Sequence, residues 1–117
     1  MSKKLTYTKS QIRTEIKEIQ TLDKAFHICI TEYDLREQIT LKMADKLELM
    51  IRCIISERNL SDWVVEELEE VIDDMNSHIK EEDYEKSIFF DEVYELCAVI
   101  RSALLQLNVY LDLGMNI

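Results

Sequence analysis

The stretch SDWVVEELEEVIDDMNSHI, residues 61–79, decides the fold. At about 100° per residue, Val64, Val71, Ile72, Met75 and Ile79 fall within about 60° of Leu68. One narrow apolar stripe at this period marks an amphipathic helix, whereas a half-buried strand would alternate. Glu66, Glu70 and Asp73 fall on the opposite side, with Asp62, Glu67, Glu69 and Asp74 on the flanks. The spacing predicts a helix from Ser61 or Asp62 to about Ile79, resting on a core through one face and turning carboxylates outward through the other.

The same period recurs on both sides of it. Upstream, Ile39, Met43, Leu47, Met50, Ile51 and Ile54 predict a helix from about Asp34 to Glu57, with Thr31-x-x-Asp34 as a cap. Arg58-Asn59-Leu60 reads as its stop, Asn59 being able to turn left-handed at low cost. Further upstream, Thr8-x-x-Gln11 has the form of a capping box. Ile12, Ile16, Ile19 and Phe26 then predict a helix to about Thr31, either continuous or bent near Leu22-Asp23. Downstream, Phe89, Val93, Leu96, Ile100, Leu104, Leu107 and Leu111 predict a helix starting after Ser87, running to about Asp112 and ended by Gly114. Phe90, Tyr94, Cys97 and Leu105 widen its apolar face to about half the circumference, which marks it as the most central helix. Lys80 to Lys86 reads as a charged connection or a short extra turn.

Composition agrees with an all-α chain. The 117 residues include one Gly and no Pro. Tight hairpin turns favour Gly, Pro or Asn-Gly, so an all-β fold and a Gly-rich phosphate-cradling loop are both disfavoured. A single domain over 1–117 is expected, a compact antiparallel bundle of about four main helices with room for one or two short extra ones. No apolar run reaches the length of a membrane span. The basic start, Met1 to Ser10, is not followed by an apolar signal-peptide core, so a cytoplasmic location is expected.

The net charge of −10 is unevenly placed. Residues 61–95 carry fourteen acids against Lys80 and Lys86, while residues 1–30 carry six bases and three acids. This balance argues against direct binding to a nucleic-acid backbone, which requires a basic face. No base lies between Asp62 and His78, and Glu66/Glu70, Glu69/Asp73 and Glu70/Asp74 are like-charge i,i+4 pairs. Each costs a few tenths of a kcal/mol in an isolated helix. Two readings fit: a solvated face that maintains solubility, or a landing surface for a basic partner. Trp63 lies on the acidic side of the wheel, where a large ring is a favoured interface anchor. It also lies in the first helical turn, where a ring can fold back on to a neighbouring helix. Tyr84, Phe90 and Tyr94 are the nearest aromatics in sequence that could extend an interface.

Other candidate chemistry is sparse. Cys29, Cys53 and Cys97 are widely spaced in apolar surroundings, as reduced buried thiols are. His27 and His78 each lack a second His at ligand spacing, so no metal or cofactor is expected. A calcium-binding EF-hand needs a Gly at its sharp turn, and the acidic segment has none.

Glu66-Glu67-Leu68-Glu69-Glu70 is similar to the E-E-x-x-E half of the all-helical nucleoside-triphosphate pyrophosphatases of the MazG type. That resemblance implies carboxylates holding Mg²⁺, with Glu92-x-x-Glu95 as second half, carrying Glu where the family has Asp. Against it, Glu66 and Glu70 point away from the apolar stripe.

Over the whole chain, the size, acidity and helical content resemble the immunity proteins of bacterial toxin–immunity pairs, including contact-dependent growth inhibition systems. Phage-encoded inhibitors that mimic nucleic acid look similar. No diagnostic motif carries this resemblance, so no family residues transfer. It implies a non-enzymatic antitoxin: a stoichiometric inhibitor that occludes the active site of a basic toxin, a nuclease above all. Carboxylates about 5–6 Å apart along a helix face roughly match phosphate spacing. The expected contact residues are Asp62, Trp63, Glu66, Glu67, Glu69, Glu70, Asp73 and Asp74, continued by Glu81, Glu82, Asp83, Tyr84 and Asp91. A helical adaptor that binds a partner through an apolar groove is the alternative.

Overall fold

In the computed structural model, the described residues are 6–28 and 33–115. They form four helices and one hairpin: α1 Lys9–Ile28, α2 Tyr33–Glu57, α3 Asp62–Ser77, β1 Ile79–Glu82, β2 Glu85–Ile88 and α4 Val93–Asp112. The chain is therefore mostly helical, with a small antiparallel sheet that the all-α expectation lacked.

Local signals set most helix limits. Thr8 and Gln11 exchange bonds, the Thr8 N–H to Gln11 Oε1 at 2.9 Å and the Gln11 N–H to Thr8 Oγ1 at 3.2 Å. Both therefore satisfy amides that a helix start leaves without partners. α1 runs unbroken through Leu22-Asp23. Its expected extension to Thr31, the Thr31 cap and Cys29 lie outside the described residues. α2 stops at Glu57 as expected, but without a left-handed Asn59. α4 ends on Gly114 at φ 70°, with the Met115 N–H donating to Tyr110 O and the Gly114 N–H to Leu111 O. That pair of bonds is the Schellman pattern, which needs a left-handed residue at this position.

Two limits differ from expectation. α3 ends at Ser77, so Ile79 opens β1 instead of closing the helix. α4 begins at Val93, not after Ser87, which leaves Phe89 exposed rather than in the core. The segment between them is the hairpin, paired Ile79 with Ile88, Lys80 with Ser87, Glu81 with Lys86 and Glu82 with Glu85. Its two-residue turn, Asp83-Tyr84, has φ 49° and 66°. Positive φ at both central residues is the geometry that matches the twist of paired strands. A second turn, Phe89–Glu92, is closed by the Glu92 N–H on Phe89 O at 3.0 Å and holds Asp91 at φ 61°. Neither turn uses Gly. The hairpin is anchored from α2: Glu37 accepts from the Ile88 N–H at 3.4 Å, and Lys86 reaches Asp45 at 3.0 Å.

Side-chain bonds give the direction of each helix. Lys46 bonds Glu15 and Glu18, Asn76 bonds Glu48, and Gln106 bonds Glu67, so consecutive helices alternate in direction. Asp23 with Arg101 and Phe26 with Tyr94 make α1 antiparallel to α4 as well. Thr40 beside Cys97 and Arg36 beside Tyr94 make α2 and α4 parallel across the diagonal. The core draws on all four stripes, with Leu47, Met50, Ile51, Ile54, Leu96 and Leu107 fully buried and Ile88 sealing the hairpin end. α2 and α4 share the centre, each packing on all three other helices.

Candidate partner-binding surface

α3 rests on the core through Val64, Leu68, Val71, Ile72 and Met75. Its seven carboxylates, Asp62, Glu66, Glu67, Glu69, Glu70, Asp73 and Asp74, are all exposed. Among the described residues none of the seven has an ion-pair partner within 4.0 Å. The one polar contact is Gln106 Nε2 donating to Glu67 at 3.4 Å. Glu66 forms the crest of an acidic ridge. Glu69 and Asp73 descend into a groove of about 350 Å³ against α2, lined also by Arg52, Ile55 and Ile72. Glu67, Glu70 and Asp74 descend into one of about 340 Å³ against α4, beside Val99, Ser102 and Gln106. Arg52, the cation at the first groove, is held by Glu48 at 3.1 Å.

Trp63 combines both expectations. Its ring meets Tyr110 edge-on, with centroids 6.1 Å apart, yet 54% of the residue stays exposed. One edge is fixed on α4 while the other faces solvent beside the ridge, an arrangement that leaves little rotamer freedom to lose on binding. Sequence reasoning missed Tyr110. The signal was available in the alternation of helix direction, since antiparallel α3 and α4 bring the start of one to the end of the other.

The expected hairpin residues do not gather around Trp63. Glu81, Glu82, Asp83, Tyr84 and Asp91 are exposed, but they follow the far end of α3, about 20 Å of helix away. Glu81 lies across from Lys86, whose amine is bound by Asp45, so its charge is partly offset. Glu82 opposite Glu85 is a like-charge cross-strand pair next to Asp83, an acidic tip carrying the fully exposed Tyr84. Phe90 and Tyr94 lie at this same end. Tyr94 packs edge-on against Phe26 at 5.6 Å and accepts a bond from Arg36, while Phe90 is 84% exposed.

The candidate reactive groups have structural surroundings. Cys97 is buried with Thr40 Oγ1 at 3.3 Å, and burial pushes its thiol up, away from the reactive thiolate. Cys53 is half-buried. Arg101 holds Asp23 through both its Nε and an NH2 group, and also donates to His27 Nε2 at 2.9 Å. His78 Nδ1 bonds Glu92 at 3.0 Å. Glu66 and Glu70 stand on the outer face of α3 while Glu92 is committed to His78, so the two halves of the E-E-x-x-E resemblance do not converge. Among the described residues no three His, Cys, Asp or Glu side chains are grouped to hold a metal, and no helix is long and apolar enough to cross a membrane.

No known protein family, curated protein or solved structure matches this chain.

Proposed function

We propose that this chain is an immunity-type inhibitor, acting in the cytoplasm, that binds a basic toxin through the acidic ridge of α3 and occludes its active site. A nuclease is the toxin class that fits best, because its catalytic cleft is built to hold phosphates. The reading rests chiefly on one observation: seven exposed carboxylates on a 16-residue helix with no cation paired to them among the described residues. Such a ridge carries several unfavourable i,i+4 pairs that a few lysines would relieve. A cationic cleft supplies those missing counter-charges. The summed field accelerates encounter, and the association rate falls as salt rises. Trp63, fixed on Tyr110 with half its surface free, supplies an apolar anchor that slows dissociation.

Mass spectrometry of proteins retained on the immobilised chain identifies the partner, and stopped-flow association then tests the mechanism. E66K/E70K/D73K is expected to lower the association rate at least tenfold at low salt while leaving the helical circular dichroism intact. Tight binding retained by this variant at low salt sinks the reading. The adaptor alternative draws on the exposed Phe90 and Tyr94 at the hairpin end, and it predicts an affinity nearly independent of salt.

A further inference from the structure

The two grooves that flank the α3 ridge are not equivalent. The one against α2 already holds a cation: Arg52 lines it, with its side chain 62% exposed and bound to Glu48. A partner's cation entering there meets a like charge. The groove against α4 is lined by three carboxylates, Glu67, Glu70 and Asp74, and by no Lys, Arg or His. Ala98, Ser102 and Gln106 form its opposite, uncharged wall, because Arg101 turns away to Asp23 on α1. The buried Val71 and Ala103 and the half-buried Val99 give it an apolar floor.

Trp63 belongs to this same side. Trp63, Glu67, Glu70 and Asp74 follow one another at steps of four, three and four residues, within about 60° of one another on the helix. The row spans about 16 Å. The Trp63 ring meets Tyr110 of α4, and Gln106 donates both to Tyr110 Oη at 2.6 Å and to Glu67 at 3.4 Å. One pair of α4 residues therefore steadies the aromatic and the first acid of the row.

The chemistry of the row selects its occupant. A side chain that suits it needs an apolar stem for the floor, a positive charge for the rim and a flat face for the indole. Arginine has all three: its methylenes cover apolar surface, its guanidinium forks on to carboxylates, and its plane stacks on aromatic rings. Resting on the basic-partner reading above, we propose that the α3–α4 groove, and not the α2–α3 groove, seats the partner, and that the seated segment is a helix carrying arginines at three- and four-residue spacing. Such a helix repeats its cations at the intervals at which α3 repeats its acids.

Titration of the full chain with an alanine-based helical peptide of about 16 residues, with arginines at that spacing, tests the proposal against a peptide of the same composition in scrambled order. Trp63 is the only Trp in the chain, so its emission reports on the end of the groove. The spaced peptide is expected to shift that emission and to bind about tenfold more tightly than the scrambled one at low salt. E70Q/D74N removes two acids from the α4 side and E69Q/D73N two from the α2 side, the same change in net charge. The first is expected to weaken binding of the spaced peptide about tenfold and the second no more than about twofold, with the circular dichroism of both unchanged. Equal weakening by the two variants means that only the summed field of the ridge acts, which overturns the groove proposal and leaves the basic-partner reading standing. Spaced and scrambled peptides bound alike, or not at all, overturn it too. A captured partner whose tight binding survives E66K/E70K/D73K at low salt sinks the basic-partner reading itself, and the groove proposal with it.

Discussion

Glu57 shows how one side chain can hold a segment in place. Its carboxylate accepts the Thr6 N–H at 3.0 Å and the Tyr7 N–H at 3.3 Å, while the neighbouring Arg58 donates to Tyr7 O. Glu57 and Arg58 therefore satisfy both strands of backbone polarity just before α1, at the point where Tyr7 packs on the core. The Thr6 hydrogen bond, with Tyr7 and Arg58 adding to it, holds the Glu57 carboxyl below the usual carboxylate range. A depressed folded pKa means that the unfolded chain takes up the proton first on acidification. The stabilisation is thus complete above the ordinary Glu value of about 4.3 and is lost as pH falls through the lower folded value. Glu57→Gln keeps an acceptor but removes the proton linkage. Urea unfolding between about pH 5 and pH 3 is expected to show a shallower loss of stability for Glu57→Gln than for the wild type. Parallel losses would show that Glu57 does not contribute to the acid limb.

The hairpin and α3 each carry an unfavourable local feature. In the hairpin it is conformational. Tyr84 sits at φ 66°, a region that costs a residue with a Cβ roughly 1–2 kcal/mol. Tyr84→Gly relieves this at a turn that prefers Asp-Gly, offset in part by the greater freedom of Gly in the unfolded chain. A net gain of about 0.5–1 kcal/mol in unfolding free energy is expected, read by chemical denaturation. In α3 the unfavourable feature is electrostatic. Glu70 opposes both Glu66 and Asp74 one turn away. Glu70→Lys converts two repulsive pairs into attractive ones, with an expected gain of up to about 1 kcal/mol that shrinks as salt is added. A gain in stability joined to a loss of binding to the proposed partner would be the signature of a ridge kept acidic for recognition. A loss of stability would show that Glu70 has a structural role.

At the scale of the molecule, the two outward faces differ in kind. The α3 face is acidic and, among the described residues, without an ion-pair partner, whereas the outer arc of α4 mixes the exposed Leu105 and Val109 with Arg101 and Asp112. The first should lose partner affinity as salt rises. The bundle makes this separation possible. Because α2 and α4 sit diagonally at the centre, α3 needs only one stripe against the core and keeps the rest of its surface for carboxylates. α4 packs its inner side on the bundle, and on its outer side the exposed Leu105 and Val109 stand beside Arg101 and Asp112.

The four apolar stripes, the Thr8–Gln11 box, the Gly114 stop and the acidic ridge were legible in the sequence, because helical period and capping depend on residues a few positions apart. The hairpin was not. Its turns place Asp83, Tyr84 and Asp91 at positive φ, against local preference. Burial of Ile88 and Val93, the Lys86–Asp45 bond and the Glu37 bond to Ile88 offset that cost, and all depend on where α2 and the core lie. The same distinction holds at the candidate site. The sequence by itself determined that α3 turns an acidic face away from its apolar stripe; that no cation among the described residues pairs with it was decided by the tertiary structure. Only the tertiary structure decided that Trp63 meets Tyr110, that the hairpin acids stand at the opposite end, and that Leu105 and Val109 face outward. Contacts between residues far apart in the chain arise from packing, which no local pattern encodes.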